Sequence, residues 1–257
     1  YLMKASRLPI VASKLTSLSD DASIPSAMNG KRMTIAFWIY IYDLNKYEGK
    51  EAHVLHRGDE AGTFENSSPY VVLTGNKLHV TFAPIDPKKM YDYNGTDYAP
   101  VINGGAVTDG IDDAEQRKRA ARVLRGITID YVPVQRWVHV AVVVNEEVNG
   151  GTITAYLDGE LVKSVNSRST YAPDSSNSNR AYNTISVKKG GVTQNVDMRL
   201  QVFNADLDKK GHVYVGGNSS SPIGTGFSGM VSKVTFANLA KLGLPAYGVQ
   251  SPIYRIE

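Results

Sequence analysis

Two adjacent glutamates, five scattered histidines and the tyrosine-rich run "MYDYNGTDYAP" (90–100) are the residues from which chemistry could be built. Cutting a glycosidic bond takes two carboxyl groups flanking one site, a proton donor and a nucleophile or base. Glu146 and Glu147 are neighbours, so on a strand they point to opposite faces, and a Gly-rich turn follows them. No serine lies in a G-x-S-x-G elbow. The chain has no cysteine, which removes thiolate nucleophiles, thiolate metal sites and disulfides together. A non-catalytic protein without a cofactor is the expectation.

Binding residues are easier to find. Tyr91, Tyr93 and Tyr98 offer ring faces for stacking on a sugar, and Asp92, Asn94 and Asp97 offer hydrogen bonds beside them. The same composition also serves ordinary packing of a loop, which is its commoner use. Lys118, Arg122 and Arg125 stand at i, i+4 and i+7 of a helical segment and so share one side of it. That basic face is either simply solvated or directed at an acidic protein surface or membrane headgroups. His53 and His56 are three apart in an extended segment, which predicts opposite faces and a poor joint metal site. Arg57-Gly58-Asp59 is the tripeptide many adhesive proteins show to integrins, and it also reads as a strand running into a turn.

The elements that must carry these residues are mostly strands. "MTIAFWIYIYD" (33–43) alternates Ile35, Phe37, Ile39 and Ile41 with Thr34, Ala36, Trp38 and Tyr40, a strand with two usable faces. Trp38 and Trp137, inside such patterns, are expected to pack rather than bind. "PYVVLTGNKLHVTF" (69–82) predicts two strands joined at Thr74-Gly75-Asn76, and "GTITAYLDGELVKSV" (151–165) a hairpin turning at Asp158-Gly159. "RWVHVAVVVNEE", "GHVYVGG" and "GFSGMVSKVTFANLA" add further strands, the last alternating Met230, Ser232, Val234 and Phe236. One helix stands out in "DDAEQRKRAARVLRG", with Asp112 and Glu115 as a capping box and Gly126 as terminator. The pattern is that of an all-β, antiparallel two-sheet sandwich with one short helix in an insertion.

We divide the chain into an extended N-terminal arm (1–32), a single domain (33–245) with insertions at about 84–130 and 166–210, and a C-terminal tail (246–257). The second insertion is expected to hold a hairpin formed by "AYNTISVKK" and "NVDMRLQVF". At 257 residues this is long enough for a sizeable core. A net charge of +3 gives no footprint for nucleic acid. No run of residues is long and apolar enough to span a membrane. The first residue is Tyr1, so an upstream anchor or signal lies beyond what these residues can report. Three sequons, at Asn66, Asn94 and Asn218, favour an exported surface only slightly.

In this order, "TIAFWI", "VLHRGD", "NKLHVTF", "RWVHVAVVV", "YLDGELV", "VYVGG" and "GFSGMVSKVTF" resemble the concanavalin A-like, laminin G-like jelly roll over roughly 33–240. "PSAMNGKRMTIAFWIYIYD" is similar to versions of that domain in virion proteins of large DNA viruses. The resemblance implies two stacked antiparallel sheets and, variously, sugar binding, protein adhesion, structural roles or glucanase activity. The E-x-D-x-x-E strand of its glucanases does not occur here. Some members hold Ca²⁺ on rim loops, for which Asp59 and Asn218 are the oxygen-bearing candidates, with plain turn residues as the simpler account. The expectation drawn from this is a structural or attachment domain of a virion, partnered by other virion or surface proteins. The alternative is a carbohydrate-binding module of an extracellular or cell-surface protein.

Overall fold

The computed structural model describes residues 2–4, 8–19, 32–44, 49–85, 113–147, 150–167, 184–189, 191–197 and 200–237. The Tyr91, Asp92, Tyr93, Asp97 and Tyr98 cluster and the C-terminal tail lie outside them.

Two antiparallel sheets stack as a jelly-roll sandwich. The first runs β1 (Leu2–Lys4), β15 (Ser228–Ala237), β4 (Arg32–Asp43), β9 (Trp137–Glu147), β10 (Gly150–Leu157), β11 (Glu160–Asn166), with β2 (Ile10–Val11) also on β15. The second runs β3 (Thr16–Ser19), β14 (His212–Val215), β5 (Glu51–Gly58), β6 (Tyr70–Thr74), β7 (Lys77–Thr81), β8 (Gly126–Ile129). The arm before β4 thus lends edge strands to both sheets. Between the sheets lies one core, with Ile35, Phe37, Ile39 and Ile41 of β4 facing Val54, Leu73, Leu78 and Val80 of the second sheet's strands. The two-period alternation of β4 is what delivers those four side chains to one side.

Both expected tight turns form. Asp158 and Gly159 have φ of 51° and 86°, the left-handed pair that lets two residues join β10 to β11. Asp158 tolerates this conformation because its carboxylate accepts from the His139 N–H (2.8 Å) and from Arg136 (2.7 Å). Asp158→Ala is expected to lower stability by roughly 2 kcal/mol in urea denaturation; an unchanged midpoint would mean the carboxylate does not hold the turn. Gly75, with φ of 58°, serves the β6–β7 hairpin likewise.

Two local expectations are corrected and two are refined. The helix α1 (Ala114–Arg125) is capped by Asp113, whose side chain accepts from the Gln116 N–H, one residue later than the capping box placed it. Gly126 ends it, as the sequence predicts, though in an extended rather than a left-handed conformation. Its backbone leads straight into β8, and a Cβ there would press on the Val80 carbonyl oxygen at 2.6 Å. In β15 the alternation breaks between Ser232 and Thr235, where Lys233 has φ of 49°, so Val231, Val234 and Phe236 enter the core. The hairpin of the second insertion is present as β12 (Thr184–Lys189) and β13 (Val192–Asp197), but its second strand starts earlier than "NVDMRLQVF" placed it, and Val202–Asn204 form a short 3-10 helix instead of continuing it.

Candidate functional site

The outer face of the second sheet gathers histidines and tyrosines, while Trp38, Tyr40, Tyr42, Trp137 and His139 form a separate aromatic group on the first. Alternation along β7 and β14 sends Leu78, Val80, Val213 and Val215 inward and leaves His79, Thr81, His212 and Tyr214 on the other side. From β5 and β6 come His53, His56 and Tyr70. Four of the five histidines therefore share one face.

His53 and His56 do so against expectation. The pairing of β5 with β6 slips between His53 and Leu55, and this β-bulge turns two residues that strict alternation would separate onto the same side. Their rings meet edge to face, and Nε2 of His53 lies 2.9 Å from Nδ1 of His56. At either end the chain of contacts is anchored on backbone. His53 Nδ1 donates to the Gly216 carbonyl at 2.6 Å, and His56 Nε2 donates to the Asp59 carbonyl at 2.7 Å. Burial lowers the pKa of His53 to about 3, helped by His56 and opposed by the Gly216 bond. Burial also lowers His56, with the Asp59 carbonyl and carboxylate pulling the other way.

Tyr214 lies flat against His56, ring centroids 5.1 Å apart and planes 18° from parallel. His212 stands 6.0 Å from Tyr214 and its Nδ1 is 3.4 Å from the Ser17 hydroxyl of β3. This end of the face is open: His212 is exposed and Tyr214 half-buried.

The other end is roofed by α1. Lys118 and Arg122 both reach Glu51 of β5, Lys118 at 2.8 Å, and Lys118 also holds Glu115 at 2.8 Å. Burial works against the Lys118 charge, but its bonds to Glu115 and Glu51 outweigh that and raise its pKa. Below them a narrow cleft of about 10 Å³, room for roughly one water molecule, is lined by Glu51, Tyr70, His79, Thr81, Lys118 and Arg122. It is far too small for an ordinary small-molecule site, which takes roughly 300–1,000 Å³. Burial, followed by Arg122 and Lys77, brings His79 down to about 3. Burial, then the Glu51 charge, pushes Tyr70 up to about 12.

The basic helix side is thus real and turned inward. Lys118 and Arg122 pair with Glu51, and Arg125 is 0 % exposed, its Nε donating to the Phe82 carbonyl at 3.3 Å. A face for acidic partners or headgroups is replaced by a helix-to-sheet clamp. The calcium candidates are not brought into a metal site. Asn218 uses its side-chain oxygen on the Ser220 N–H (2.9 Å) and the Ser221 hydroxyl (3.1 Å), and Asp59 is exposed in another turn. Among the described residues no three or more His, Asp or Glu side chains cluster around a possible ion.

Arg57-Gly58-Asp59 forms the end of β5 and the turn after it. Arg57 is 2 % exposed, and its backbone pairs with Pro69 and Ser68. Its guanidinium is not available to a receptor. Asp59→Glu is expected to leave adhesion of integrin-bearing cells unchanged; a loss of adhesion would restore the tripeptide as a signal.

The sequence reading missed this face, although one signal for it was present. In "LHV" of β7 and "GHVYV" of β14, histidine and tyrosine occupy the positions between core valines and leucines. The β5 contribution needed the bulge and was not readable.

No protein-family model matches the chain, and no curated protein matches it. Among solved structures it is similar to the botulinum neurotoxin serotype D binding domain, at 12% identity and a TM-score of 0.42 over 94% of this chain and 39% of that one. A leech intramolecular trans-sialidase complexed with 2,7-anhydro-Neu5Ac gives 12% identity and 0.46 over 93% and 26%. The CBM40 domain of the Ruminococcus gnavus IT-sialidase gives 10% and 0.45 over 93% and 94%. The chain spans less than half the length of the first two. At these identities the likeness concerns fold.

Proposed function

We propose that this is a non-catalytic, lectin-like binding domain that recognises saccharides on the outer face of its second sheet, at the β3–β14–β5 end. The observation that carries the reading is Tyr214, whose ring is held flat against His56 on a strand and reaches solvent beside His212 and Ser17. A sugar presents an apolar C–H face ringed by hydroxyls. A fixed phenol ring supplies the stacking surface, and the neighbouring imidazole and hydroxyl supply the hydrogen bonds. Placement on strands keeps these groups in fixed relation, which lowers the ordering cost of binding.

A glycan array probed with the wild type and with Tyr214→Ala tests this. The wild type is expected to bind a defined subset of saccharides and the variant to bind them at least about tenfold more weakly. Undiminished binding by the variant, or no saccharide bound by the wild type, overturns the reading. The absence of catalysis is tested by reducing-sugar release from β-glucans, where turnover above background would contradict it.

A second reading is a structural role in a virion, the finer expectation drawn from the sequence. It is favoured by the apolar side chains on the β11 edge, where Leu161 is 61 % exposed, with Tyr131 60 % exposed after β8. Lys163 of β11 bridges to Asp130 at 3.0 Å, bringing the two strands' ends together. Under that reading Leu161→Glu impairs assembly and leaves saccharide binding intact.

A further inference from the structure

The contacts of His53 and His56 contain more hydrogen bonds than two neutral imidazoles have protons. Both outer nitrogens face carbonyl oxygens, at 2.6 and 2.7 Å, so each must carry a hydrogen. A neutral pair has then used both of its N–H groups. Its two inner nitrogens, 2.9 Å apart, would face each other as lone pairs. To keep the inner bond, a neutral pair must give up one of the outer ones. Either ring could move its proton inward, but the Asp59 end yields at less cost, because the His53–Gly216 bond is buried and the His56–Asp59 bond only partly so. One added proton satisfies all three bonds at once. A second would set two N–H groups against each other.

The Asp59 carbonyl belongs to the loop that folds over His56. Gly62 of that loop packs so closely on the His56 ring and the Ser67 hydroxyl that a Cβ at this position would overlap both. The loop is tied internally by Thr63 N–H to Asn66 Oδ1 (2.7 Å) and by Ser67 N–H to the Thr63 carbonyl (2.9 Å). Its first residues are seated on the sheet through His56, while its end is held by the Ala83 N–H donating to the Ser67 carbonyl (3.1 Å) and Glu65 pairs with Arg117 of α1 (3.4 Å).

We propose that His53 and His56 act as one unit that takes up a single shared proton in mild acid, and that this proton fastens the 59–67 loop to β5. The groups around the unit agree with one charge and no more. Asp59 favours it from the loop, and Glu60 acts with Asp59 on Tyr214, which stacks on His56 from β14 with His212 beyond it. Tyr70 faces both imidazoles from β6, and the Glu51–Lys118–Arg122 cluster sits behind Tyr70. Burial opposes the charge and keeps the uptake below the ordinary imidazole range. Protonation would also turn the His56–Tyr214 stack into a cation–π pair. The inference stands on hydrogen-bond geometry and does not depend on saccharide binding.

The test uses the full chain with ¹⁵N-labelled histidine, followed by long-range ¹H–¹⁵N spectra from pH 8 down to the onset of unfolding. Of the four ring nitrogens of the pair, two should be protonated above a single midpoint and three below it. Amide protection factors at Gly62–Ser67 should rise through the same midpoint. In His56→Phe, which keeps a ring against Tyr214, that rise should vanish; if this variant does not fold, His53→Gln should abolish it as well. Two independent protonations, no uptake before unfolding, or loop protection unaffected by either the midpoint or the foldable variant would each overturn the proposal.

Discussion

Gly226→Ala is expected to destabilise the protein by more than about 3 kcal/mol in urea denaturation. Gly226 is buried where the N-terminal arm crosses between the sheets, and a Cβ on it would overlap the Ala12 carbonyl oxygen. That oxygen already accepts from the Gly217 N–H (3.0 Å), the Ala12 N–H donates to the Gly229 carbonyl (2.9 Å), and Gly226 N–H donates to the Gly217 carbonyl (3.0 Å). All the neighbours are backbone, so no side chain can swing aside. Adding the methyl group must push the arm off or break this set of bonds. Gly224→Ala is the comparison: its φ is 85° but nothing lies within 4 Å of a Cβ. Its cost should be confined to the left-handed backbone, about 1–2 kcal/mol. Equal effects of the two substitutions would mean that the arm is not seated at this junction.

Acid should weaken the fold well before its carboxylates titrate. His53, His56, His79 and His139 all have lowered pKa values, and burial is the first cause in each. A histidine whose folded pKa lies below its unfolded value favours the unfolded chain's greater proton uptake. Its contribution is therefore present above about pH 6.5 and is lost as pH falls toward the folded value, about 3 for His53 and His79. Between pH 6.5 and 4.5 each of these two rings should remove on the order of 2–3 kcal/mol, less whatever the shared proton of the His53–His56 pair returns. Denaturation midpoints measured at those two pH values should fall clearly. His79→Gln, which replaces the titrating ring by a neutral amide, should flatten the dependence. A midpoint constant over this interval would show that the outer face of the second sheet is wetter than its burial implies.

Much of the sandwich could be read in the sequence because period-2 alternation and turn residues are local signals. β4 carries its core face in four isoleucine and phenylalanine positions, and Asp158-Gly159 and Gly75-Asn76 turn where their backbone freedom says they should. Features made by distant partners were not readable. The bulge that unites His53 and His56 arises from the register of β5 on β6, and the shift in β15 from its pairing with β4. The helix side bearing Lys118 and Arg122 looks solvent-bound in isolation; only the packing of α1 over the sheet brings Glu51 to it. The site suffered most for this reason. It is assembled from β3, β14, β5 and β6, which are separated along the chain, and no single stretch displays it.

The saccharide reading is tested most directly by mapping where a ligand lands. Backbone amide and histidine ring shifts would be followed while the best saccharide from the array is titrated into the wild-type chain. Perturbations are expected at Ser17, His56, His212 and Tyr214, with Trp38 and His139 on the first sheet unaffected. Shifts centred on the first sheet or on the 90–100 segment, with Tyr214 unmoved, would contradict the account.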